Sequence, residues 1–113
     1  MFIRPPAAFA AATLVSGAAL AQDVTRIPFA LDWKFEAPSA LCFAAIDNHH
    51  FATEGLEVTV EAGTGSVETI PKIATGSFPI GFGNVNAMIR FLDQIPGAPV
   101  TAVMMVFDRA AFA

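Results

Sequence analysis

From Ile27 to Asp32, apolar Ile27, Phe29 and Leu31 alternate with Pro28, Ala30 and Asp32, a period of two that predicts a strand. Pro28 lacks a backbone donor, so pairing is expected to begin after it. The spacing then changes: Pro38 suits a first helical turn, and Ala40, Leu41, Ala44, Ala45 and Ile46 recur as a helical stripe up to Asn48 or His49. Leu56, Val58 and Val60 alternate with Glu57, Thr59 and Glu61, which predicts a second strand with one wet face, near a sheet edge. The glycine loop Gly63-Thr64-Gly65-Ser66 follows. Ser66 is placed to cap a helix with the stripe Val67, Ile70, Ile73 and Ala74, ended by Gly76. Pro71 within so short a helix predicts distortion or a late start.

Phe78 to Phe82 reads as a short strand stopped by Gly83-Asn84, and Asn84 or Asn86 caps a helix with apolar Val85, Met88, Ile89 and Leu92. Pro96 to Pro99 breaks the chain, and Val100 to Phe107, apolar almost throughout, reads as a central strand covered on both faces. The order is therefore βαβαβαβ with short loops, the signature of an α/β fold on a largely parallel sheet. Ligands bind such sheets at the carboxyl ends of the strands. Trp33, Gly63 to Ser66, Gly83 to Asn86 and Phe107 to Arg109 each follow a strand and are expected on one rim. A glycine loop entering a helix also presents free backbone N–H groups and the positive end of the helix dipole.

Composition refines this picture. After Arg4, the apolar run Ala7 to Leu20 ends in Ala19-Leu20-Ala21, the pattern of a secretory signal peptide cleaved after Ala21. The run is shorter than the about 20 residues a membrane span needs. Residues 1–21 are therefore expected to be a signal and 22–113 a mature part without a membrane span, located in the periplasm. Cys42 is the single cysteine, with no internal disulfide available, and is expected to be a small apolar residue on a helix. A net charge of −4 without any basic run argues against nucleic-acid and anionic-membrane partners. His49-His50 cannot chelate one ion alone, since neighbours on a helix point about 100° apart. No nucleophile and base are spaced to define an enzyme, and no metal or cofactor is expected.

The segments LDWKFEAPSALCFAAIDNHHFATEGLEVTVEAGTGS, IPKIATGSFPIGFGNVNAMI and PGAPVTAVMMVFDRAAFA resemble the N-terminal part of SsuA/THI5-like (NMT1-like) substrate-binding proteins of ABC transporters. The order Asp-Trp, Glu-Gly-Leu, Gly-Ser and Gly-Phe-Gly carries the resemblance. It implies a partial lobe of the type 2 periplasmic-binding-protein fold, with the second lobe absent from 22–113. It also implies a monomeric receptor that presents a small polar solute (nitrate, a sulfonate such as taurine, or a thiamine-pyrimidine precursor) to an ABC permease.

The binding positions implied are Trp33, suited to stacking on a planar ring, with Thr64, Gly65, Ser66, Asn84 and Asn86; Asp32, Asp108 and Arg109 lie on the same rim. Asn84 stands where the family often has an acidic residue, which weakens the case for a cationic ligand. One branch of the resembled family makes the thiamine pyrimidine ring with pyridoxal phosphate and iron. Neither Lys34 nor Lys72 falls where that branch places its Schiff-base lysine, and Cys42 is the only cysteine, whereas that branch has a cysteine cluster further along. A fragment without independent function is the third alternative.

Overall fold

The computed structural model describes residues 23–108; the expected signal segment, 1–21, and Arg109 lie outside them. Among the described residues three parallel strands form one open sheet in the order β2-β1-β3. Strand β1 is Thr25–Ala30, β2 is Leu56–Glu61 and β3 is Ile80–Gly81. A 3-10 turn, Ala37–Ser39, leads into helix α1, Ala40–Asp47, and a single-turn helix α2, His50–Thr53; helices α3, Ser66–Ala74, and α4, Val85–Gln94, complete the order. The fold is α/β with an all-parallel sheet, consistent with part of a binding-protein lobe. Among the described residues no helix is long and apolar enough to cross a membrane.

Strand β2 is an edge strand, as its alternation predicts: Leu56, Val58 and Val60 are half-buried while Glu57, Thr59 and Glu61 are exposed. Strand β1 is central and begins at Thr25, ahead of Pro28, which corrects the expectation that pairing starts after the proline. The reason is directional. Thr25 donates to Gly55 and Leu31 to Glu61, so odd-numbered residues of this stretch send their N–H toward β2. The nitrogen of Pro28 points the other way, where the ladder to β3 begins only at Phe29 opposite Ile80. The missing donor therefore falls where no acceptor waits.

Among the described residues the carboxyl end of β1 is the most buried place. Ala30 and Leu31 are 4% and 3% exposed, and Ile70 of α3, whose side chain lies beside Gly83, is 3% exposed. Thr69, also buried, donates its hydroxyl to the carbonyl of Leu31. A glycine flanks this end on each side because nothing larger fits. A Cβ on Gly63 would lie 2.0 Å from the Leu31 oxygen, and one on Gly81 would lie 2.4 Å from the Ala30 oxygen. Phe82 then donates to Ala30, and its ring meets Phe29 edge-on at 5.2 Å.

Several details depart from the pattern. Helix α3 begins at Ser66 without delay, and Pro71 is accommodated inside it. Gly65, at φ +152°, takes the cap position expected for Ser66. A glycine there lets the chain turn into the helix through a conformation that side chains resist. The far end is a Schellman motif, in which Ser77 donates to Lys72 and Gly76, at φ +79°, donates to Ile73.

Thr69 replaces Val67 on the inward face, leaving Val67 81% exposed. On α4, Ala87, Met88, Phe91 and Leu92 are half-buried while Val85 and Ile89 face solvent, so the stripe is rotated from the expected one. The short strand predicted over Phe78–Phe82 contracts to Ile80–Gly81. Val100 to Phe107 forms no strand. An apolar run becomes a central strand only with ladder partners, and the two-residue β3 offers little edge; Val103 and Met104 instead stand exposed.

Candidate functional site

The loops after β1, β2 and β3 meet at the side chain of Ser66. Its hydroxyl donates to Asp32 Oδ2 at 2.9 Å and accepts the backbone N–H of Asn84 at 2.9 Å. One residue at the start of α3 thereby ties the end of β1 to the start of α4. Asn84 in turn caps α4, its Oδ1 accepting the N–H of Asn86 at 2.8 Å. A fourth link is backbone only: Gly63 donates to the carbonyl of Trp33 at 3.0 Å, which is possible because Gly63 has no Cβ.

Trp33 leaves about half of its surface open (49%), with the Lys34 ammonium 6.0 Å from its ring centre. Asp32 and Trp33 share a narrow crevice of about 50 Å³ with Lys34, Glu36 and Phe82. Asp32 also borders a wider depression of about 410 Å³, lined by Asn84, Asn86, Phe107 and Asp108. On the other side of Asn84 and Asn86 lies a groove of about 610 Å³ between α3 and α4, lined by Ser66, Ile70, Arg90 and Phe91.

The structure thus brings Asp32, Ser66, Asn84, Asn86 and Asp108 around adjoining depressions, with Trp33 in the crevice beside Asp32. Thr64 is turned away from this set, its hydroxyl bonded to the Glu68 carboxylate, which also pairs with Lys72. Gly65 contributes its carbonyl, which accepts the N–H groups of Glu68 and Thr69. Arg90 was not among the residues singled out from the sequence. The signal for it was present, since Arg90 follows Asn86 by four positions and so shares a helix face with it.

Elsewhere, Cys42 is half-buried on α1, and burial pushes its thiol pKa up. His49 occupies a left-handed backbone position, φ 58°, between α1 and α2, so the two histidines do not share one helix. Among the described residues, no three or more His, Cys, Asp and Glu side chains gather to hold a metal.

Comparison with curated proteins gave no match, and comparison with solved structures gave none. The family model described as NMT1/THI5 like matches residues 37–113. That span includes the glycine loop, Ser66, Asn84 and α4, and covers most of the sequence. The chain belongs to the NMT1/THI5-like family, which holds both solute-binding proteins and synthases of the thiamine pyrimidine.

Proposed function

We propose that the chain is the solute-binding component of an ABC importer, exported to the periplasm after loss of residues 1–21, and that it takes up a small polar solute without transforming it. The observation that carries this reading is the junction at Ser66. It joins the loops after all three strands at the carboxyl rim, where open α/β sheets bind ligands, and leaves about half of Trp33 (49%) together with Asn84 and Asn86 exposed. The solute is held by Asn84 and Asn86, with Trp33 covering a planar solute that enters on the Asp32 side, while Ser66 and Asp32 position the loops rather than the solute. The absorbed task of Thr64 moves it from ligand contact to support of α3.

The basic groups do not favour Schiff-base chemistry. Lys72 pairs with Glu68, and Lys34, which lines the crevice, lies over Trp33. The test is the melting temperature of the chain titrated with nitrate, taurine, an alkanesulfonate and an aminopyrimidine. Binding at a hundredfold excess over Kd stabilises by about 2.7 kcal/mol, a shift of several degrees. No shift with any of the four would refute the proposal. A pyridoxal absorption band retained through purification would favour the synthase branch instead.

A further inference from the structure

The groove between α3 and α4 differs in charge from the depression beside it. Asp32 and Asp108 border the depression. The groove is lined by Ser66, Asn84, Asn86, Arg90 and Gln94 on its polar side, with no carboxylate in its walls among the described residues. The Ser66 hydroxyl already donates to Asp32, so the donors left to the groove are the amides of Asn84, Asn86 and Gln94 and the guanidinium of Arg90. Arg90 is free to serve. Among the described residues the ion pairs are Arg26–Glu57 and Lys72–Glu68, and Lys34 lies against Trp33. Val67, Ile70 and Phe91 supply an apolar wall, and Val67 is 81% exposed there.

Resting on the solute-binding reading above, we infer that Arg90 selects the charge of the solute: the groove takes a small organic anion, its acidic group on Arg90 and the amides, its short alkyl part against Val67 and Phe91. A guanidinium suits this task because its fork of donors matches the oxygens of a carboxylate or sulfonate. The apolar wall distinguishes such a solute from an inorganic anion, which has nothing to place there. The carboxylates of Asp32 and Asp108 repel an anion from the neighbouring depression and so fix which side of Asn84 and Asn86 it occupies.

Titration calorimetry with ethanesulfonate, propionate, nitrate, ethylammonium and an aminopyrimidine tests this on the wild-type chain, Arg90→Gln and Arg90→Lys. Ethanesulfonate or propionate is expected to bind at least tenfold tighter than nitrate or ethylammonium. Arg90→Gln should remove about tenfold or more of that affinity, and Arg90→Lys should restore part of it. Arg90 makes no ion pair among the described residues, so the melting temperature of the unliganded variants should match wild type. Equal organic-anion affinity in wild type and Arg90→Gln overturns the assignment of Arg90. Binding of the aminopyrimidine alone, unchanged by Arg90→Gln, overturns the inference while leaving the solute-binding reading intact. Binding of none of the probes overturns both.

Discussion

Replacing Gly63 by alanine places the heaviest demand on this fold. The added methyl carbon would lie 2.0 Å from the Leu31 oxygen, 2.9 Å from the Leu31 carbonyl carbon and 3.0 Å from that of Asp32. All three are backbone atoms at the buried end of the central strand, so no side chain can rotate away. Relief requires the loop to move by about 1 Å or more, since carbon and oxygen do not approach closer than roughly 3 Å. That movement strains the Gly63–Trp33 hydrogen bond and the Thr69 bond to the Leu31 carbonyl. Overpacking typically costs about 1–3 kcal/mol, and each lost hydrogen bond adds roughly 1. The expected loss is about 3–4 kcal/mol, a factor of several hundred in the folded-to-unfolded ratio.

Gly76→Ala is the internal control. Nothing lies within 4 Å of its added Cβ, and its φ of +79° costs only the left-handed penalty of about 1 kcal/mol. Urea unfolding followed by the fluorescence of Trp33, the single tryptophan, reports on the affected loop directly. If Gly63→Ala unfolds at the same urea concentration as Gly76→Ala, the close approach described here is wrong.

Other expectations follow from the same geometry. Ser66→Ala removes one bond to a carboxylate and one to a backbone N–H, and should lower stability by about 2 kcal/mol in urea titration while weakening solute binding. Asn84→Ala loses the cap on α4 and should cost about 1 kcal/mol, with Asn84→Asp retaining it. Trp33→Ala, at a side chain half open to water, should change the urea midpoint little yet reduce affinity for a planar solute, measured by calorimetry. Because burial raises the Cys42 thiol, the folded chain holds that proton longer than the unfolded chain. Its contribution to stability is full below the ordinary thiol pKa and is lost as pH rises through the folded one. Alkylation of Cys42 should accordingly show a higher pH midpoint in buffer than in denaturant.

Periodicity and turn residues alone located strands β1 to β3 and helices α1, α3 and α4, and determined that β2 would be an edge and that the loops at Trp33, Gly63 to Ser66 and Asn84 would follow strands. These are local properties: a period of two or of 3.6 and a glycine where φ must turn positive need no knowledge of neighbours. Tertiary structure decided what depends on direction and partners. Pro28 sits in the central strand because its nitrogen faces the side on which β3 has not yet begun. Val67 turns outward and Thr69 inward because Thr69 can bond the Leu31 carbonyl at the strand end. Val100 to Phe107 has the composition of a strand and no ladder to join. Gly63 reads in sequence as part of a ligand loop, but its N–H is taken by Trp33 and its α-carbon packs against Leu31, while Asn84, Asn86 and Arg90 line an open groove. Residue type could propose Ser66 as a cap, whereas only the approach of the three loops makes it the hydroxyl that holds them together.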